Sequence, residues 1–136
     1  FNAYKLLLRI PFEVNLLFIS MTLLIMAAGM TADKDIKAFE KLGPKGEYLF
    51  EFSIFDAIQY GFSHIVIITN ERFVDELKLY LQNKLPDGVK IDVVAQKVTD
   101  LPDGLNNQIN REKPWGTAHA VWTARNLITD NFVIIN

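Results

Sequence analysis

His64-Ile65-Val66-Ile67-Ile68-Thr69 decides the fold. Four branched apolar residues in succession leave no polar face. A strand with one wet side alternates; a strand covered on both sides does not. The stretch therefore predicts a buried strand over 64–69 inside a parallel sheet. Asn70 follows as a helix N-cap. Glu71–Lys84 then carries Phe73, Val74, Leu77 and Leu81 on one side, with Leu85 just beyond, which predicts an amphipathic helix. Pro86-Asp87-Gly88 is a turn, and 89–95 is expected to be a third strand. Upstream, Phe52, Phe55, Ile58 and Phe62 recur at helical spacing, so 51–60 is expected to be a helix, stopped by Gly61. Further upstream, Thr22-Leu23-Leu24-Ile25-Met26 is an apolar run that enters Ala27-Ala28-Gly29 and predicts a strand over 22–27. Beyond the third strand come a polar loop over 99–113, a helix over 117–128 and a strand over 131–135.

Alternation of this kind builds βαβ units with right-handed crossovers. The expected fold is α/β, a three-layer α/β/α sandwich on a mostly parallel, Rossmann-like sheet. Ile25, Ile67 and Val133 should hold its middle. Composition agrees: 136 residues make about one domain, and 50% hydrophobic with 22% charged residues excludes a disordered chain. Fourteen basic against sixteen acidic residues, with no basic run, argues against nucleic acid as a partner. Without cysteine there is no disulfide scaffold, zinc–thiolate site or cysteine nucleophile. His64 and His119 are the two histidines, so a multi-histidine metal site is excluded as well.

Residues 1–20 do not fit this order. Lys5, Arg9, Pro11 and Glu13 interrupt an apolar stretch, and 1–20 reads as an extension or added segment with Met21 as the natural start. The apolar run from Leu16 to Gly29 is shorter than the roughly 18 residues of a membrane span, so no membrane partner is expected. A signal peptide is a rival reading, with Met26-Ala27-Ala28-Gly29 as its cleavage site; cleavage there would destroy the first strand, which argues against it. Phe1 at the start and the apolar run Phe132–Ile135 before Asn136 lead us to expect a piece of a longer protein.

Ligands of open α/β sheets bind beyond the carboxyl ends of the strands. Ala27-Ala28-Gly29-Met30 lies there, where small residues let backbone N–H groups approach a phosphate or a base; a tight core turn is the plain alternative. Lys113-Pro114-Trp115-Gly116-Thr117-Ala118-His119-Ala120 is the second such place. Pro114 stiffens the entry, Gly116 permits close backbone approach and Thr117 opens a helix. Trp115 reads equally as a stacking surface or as core, and His119 as a packed helix residue.

Three segments together resemble the nucleotidyltransferase family that makes nucleotide sugars: Leu23–Met30, Lys37-Ala38-Phe39-Glu40-Lys41-Leu42-Gly43-Pro44, and Lys113–Ala120. The likeness runs from about Thr22 to Asn136, so 21–136 would be the N-terminal part of a family domain. Family members join a nucleoside triphosphate to a sugar 1-phosphate and release pyrophosphate. The resemblance implies Lys37 as the catalytic cation, Ala28, Gly29, Gly116 and Thr117 as nucleotide-binding positions, Mg2+ as cofactor and a cytoplasmic location; oligomeric state is left open. The family loop is G-x-G-x-R, with Lys about ten residues on. Here Gly29 is followed by Met30-Thr31-Ala32-Asp33-Lys34-Asp35-Ile36, without the second Gly or the Arg. Lys34 is the nearby cation, and it lacks the guanidinium fork. A domain of the same fold that binds nucleotide or regulates without turnover is therefore the alternative. The family's metal-binding aspartate would follow the fourth strand, beyond Asn136, so no metal ligand is named.

Overall fold

A computed structural model of the chain describes residues 20–29, 40–105, 111, 113 and 115–136. The elements are β1 (Met21–Met26), α1 (Leu49–Gln59), β2 (His64–Thr69), a 3-10 turn (Glu71–Phe73), α2 (Val74–Gln82), β3 (Lys90–Ala95), α3 (Thr117–Thr123) and β4 (Asn131–Ile135). The strands form one parallel sheet in the order β3-β2-β1-β4. Register sets Ile25 beside Ile67 and Ile67 beside Val93.

The unbroken apolar run of β2 is used on both faces. Ile65 and Ile67 join Leu23, Ile25 and Val93 beneath Phe50, Ile54 and Ala57 of α1 and Leu77 and Leu81 of α2. Val66 and Ile68 join Leu24 beneath Ala120 of α3 and Ala124 after it. Two helices on one face and one on the other give the expected α/β/α sandwich. Asn70 caps the 3-10 turn, its side-chain oxygen accepting from the Arg72 N–H at 3.2 Å. Gly61, at φ +87°, ends α1; its N–H and that of Phe62 donate to Ile58 and Ala57 carbonyls, each at 3.0 Å.

Three expectations are corrected. Val133 is not in the middle of the sheet: β4 pairs only with β1 among the described residues, and Val133 is 47% exposed. The last helix stops at Thr123, not 128, because its hydrogen bonds tighten: Ala124 and Leu127 donate three residues back, to Val121 and Ala124, at 3.0 and 2.9 Å. On α1, Phe52 is 47% exposed and the buried stripe is Phe50, Ile54 and Ala57. That rotation also buries Glu51, which is 3% exposed. Its carboxylate accepts the Tyr48 N–H at 2.9 Å, the Tyr80 hydroxyl at 2.6 Å and the Lys84 ammonium at 3.0 Å. Lys84 also reaches the Tyr80 hydroxyl. Burial first, then the bond to Glu51, pushes the Tyr80 hydroxyl far above its ordinary value.

A second polar chain crosses the amino ends of three strands. Thr22 Oγ1 lies 3.2 Å from His64 Nδ1, His64 Nε2 2.8 Å from Asp92 Oδ2, and Lys90 Nζ 2.8 Å from the same oxygen. Burial alone would raise the Asp92 carboxyl, but hydrogen bonds from Lys90 and His64 outweigh it and hold the group below its ordinary value. Two outcomes follow. Val66→Asp should cost several kcal/mol or prevent folding, because Val66 is fully buried and stands opposite Asp92 in register; urea denaturation reads this directly. Because the folded pKa of Asp92 is depressed, its contribution is complete above the ordinary carboxyl value of 3.8 and fades as pH falls through the lower folded value. Asp92→Asn should therefore be less stable than the unmodified protein at pH 6, and the gap in urea midpoint should narrow below pH 3.8.

Candidate functional site

The strand order locates the crevice. From β1 the chain steps outward through β2 to β3, then returns to place β4 on the opposite side of β1. Crossovers diverge at the β1–β4 boundary, and in open α/β sheets ligands sit at the carboxyl ends of strands at such a boundary. A cavity of about 350 Å³ lies there, between the end of β1, the end of β4 and the first turns of α1. Its size falls in the range of small-molecule sites. Ile25, Ala27, Phe50 and Ile135 give it apolar walls, and Ser53 and Asn136 supply its polar side chains.

Hydrogen bonding fixes the rim. The Ala27 N–H donates to the Ile68 carbonyl at 2.7 Å, and the Thr69 hydroxyl donates to the Ala27 carbonyl at 3.3 Å. Ala27 and Ala28 are buried, whereas Gly29 is exposed and lines the cavity. A side chain added at Gly29 would meet nothing within 4 Å, and the backbone there is outside the left-handed region. Gly116 is alike: it is exposed, its φ is −68°, and an added Cβ meets nothing. By contrast, Gly46, Gly61, Gly88 and Gly104 all need positive φ. Neither packing nor backbone among the described residues requires glycine at 29 or 116.

Gly116 and Thr117 begin α3, on the opposite face of the sheet from α1. They are tied to the carboxyl end of β3 through Gln96, whose backbone N–H donates to the Thr69 carbonyl at 2.9 Å. Its side-chain amide nitrogen lies 3.1 Å from the Trp115 carbonyl and 3.1 Å from His119 Nδ1. His119 Nε2 lies 2.6 Å from the Asp100 carbonyl. Arg125 forks onto the Asp100 carboxylate with two contacts of 3.1 Å. The Trp115 indole donates to the Val98 carbonyl at 2.9 Å, and the Arg111 guanidinium lies 4.4 Å from its ring centroid. Trp115 is thus a half-buried anchor, with a cation on its ring. Lys37, Met30 and Pro114 lie outside the described residues.

The predicted positions are therefore spread along one end of the sheet. Gly29 lines the cavity, Ala28 before it is buried, and Gly116 stands by the end of β3, two strands away from β1, with Thr117 next to it. Sequence reasoning missed Ser53, Gln96 and the His119–Asp100 contact. Gln96 carried one signal, as the first polar residue after the third strand. Among the described residues no group of three or more His, Asp or Glu side chains comes together to hold a metal.

No family model matches the chain, and no curated protein matches it at a significant level. Among solved structures, the inositol-1-phosphate CTP transferase from T. maritima is similar, with a TM-score of 0.59 and 18% identity over 85% of this chain and 42% of that one. The chain thus spans less than half the length of that enzyme, and the likeness establishes a shared fold.

Proposed function

We propose that the protein is a nucleotidyltransferase, joining a nucleoside triphosphate to a sugar 1-phosphate and releasing pyrophosphate. The observation that carries this is the cavity at the β1–β4 boundary, with a glycine on its rim that no packing or backbone strain among the described residues requires. The shared fold supports it, because the neighbour's name gives CTP as donor and inositol 1-phosphate as acceptor. A sugar 1-phosphate is the narrower acceptor class suggested by the resemblance of Leu23–Met30 and Lys113–Ala120.

In this reading a phosphate oxygen of the acceptor bonds to the α-phosphorus of the triphosphate. The bond from that phosphorus to the bridging β-phosphate oxygen breaks, and pyrophosphate leaves. The protein's part is positioning and charge neutralisation. Backbone at Ala28, Gly29, Gly116 and Thr117 would hold the nucleotide, and Lys37 would meet the phosphate charge as a point cation. Mg2+ would neutralise phosphate charge in such a reaction. Among the described residues the cavity is lined by no Asp or Glu, and the aspartate that the resemblance assigns to the metal would follow Asn136.

The absence of the second Gly and the Arg from 30–36 favours a second reading, a domain that binds nucleotide without turnover. Pyrophosphate release by the full-length protein, across nucleoside triphosphates and sugar phosphates, separates the two. Release dependent on both substrates supports the enzyme; nucleotide binding without release supports the second reading. Gly29→Val should weaken nucleotide binding by about tenfold or more, since three extra carbons occupy the rim. Its melting temperature should stay within about 3 °C, as the added Cβ meets nothing within 4 Å and Gly29 is exposed. Lys37→Ala should lower turnover by about 10²–10³ with nucleotide still bound; steady-state kinetics showing unchanged turnover would remove Lys37 from the site.

A further inference from the structure

We propose that Gln96 and His119 are positioning residues that hold the Trp115–Gly116 turn in place for the nucleotide; this rests on the nucleotide reading given above. The hydrogen-bond chemistry allows one arrangement. The Gln96 amide nitrogen faces the Trp115 carbonyl and His119 Nδ1, each at 3.1 Å, with the Gly116 carbonyl at 3.5 Å. Flipping the amide would set its oxygen against two carbonyl oxygens, so the nitrogen belongs there. His119 Nε2 meets the Asp100 carbonyl, which can only accept, so Nε2 carries the proton. Nδ1 then offers a lone pair, which is what the Gln96 N–H needs. Gln96 donates to His119, and His119 donates to Asp100.

Asp100 is itself held. Arg125 forks onto its carboxylate and also donates to the Trp122 carbonyl of α3 at 2.9 Å. The loop after β3 is therefore fastened to α3 at both ends of the helix, through His119 and through Arg125. Gln96 fastens the turn just before that helix. The result at Gly116 is an exposed, extended backbone (φ −68°, ψ −174°) with open space where a side chain would begin. A backbone presented in this way must be held to a fraction of an ångström to be useful to a ligand. Gln96 and His119 act through that turn.

The test uses the full-length protein. Gln96→Glu keeps the shape and replaces the donor with an acceptor facing the Trp115 carbonyl. His119→Phe keeps the ring and removes both nitrogens. His119→Gln can still donate to Asp100 and accept from Gln96. We expect Gln96→Glu and His119→Phe to raise the Kd or KM for the nucleoside triphosphate by about tenfold or more, on the scale of a misplaced contact. Affinity for the sugar phosphate should be unchanged, and His119→Gln should recover most of the loss. Nitrogen NMR of the unliganded protein should show His119 as the neutral Nε2–H tautomer. Unchanged nucleotide affinity in His119→Phe, an Nδ1–H tautomer, or a fall in melting temperature with equal weakening of both substrates would overturn the positioning role. Wild-type protein that binds no nucleoside triphosphate would overturn the nucleotide reading itself, and the positioning role with it.

Discussion

The pairing of β1 with β2 is the constraint on which the rest depends. From Leu23 to Ile25 and from Ile65 to Ile68, each side chain is buried. A parallel pair so apolar needs cover on both faces, and its connection must run over one of them. That forces α1 onto one side, α3 onto the other, and sends all connections past the strand ends. The place where small residues leave β1 and the place where the crossovers diverge are thereby the same place. The cavity follows from this topology.

Polar groups finish what burial begins. Thr22, His64 and Asp92 link β1, β2 and β3 at their amino ends, while Glu51 joins α1 to α2. Gln96, His119 and Asp100 perform a similar service at the carboxyl ends. The amino-end links stabilise the sheet away from the crevice; the carboxyl-end links shape its surroundings.

Most of the fold was legible in the sequence because β2 and β1 carry unbroken apolar runs, and Asn70 and Gly61 punctuate the elements between them. The misreadings have physical causes. Val133 has a core residue's chemistry, but among the described residues β4 has β1 as its one neighbour, and local pattern holds no information on strand order. On α1, apolar residues occur nearly all round, so spacing alone could not say that Phe50 faces inward and Phe52 outward. Glu51 was hidden for the same reason: an acid in an aromatic helix reads as surface until its partners, 29 and 33 residues away, are in place. At the candidate site, Ala28, Gly29 and Gly116 could be singled out because small residues near strand ends are visible in one dimension. Gln96 could not, since its role depends on residues 19 and 23 positions later folding back onto it.

The Glu51 cluster sets terms for how this chain can drift. A change of Glu51 alone leaves the Lys84 ammonium beside the Tyr80 ring without this carboxylate and strips an acceptor from both the Tyr80 hydroxyl and the Tyr48 N–H. Losing one partner of a buried pair costs on the order of 3 kcal/mol, whereas exchanging the whole set for well-packed apolar residues can be neutral. The three side chains therefore form a single unit of inheritance. Descendants should keep Glu51, Tyr80 and Lys84 together or replace them together, and lineages caught between the two states would survive only on stability gained elsewhere.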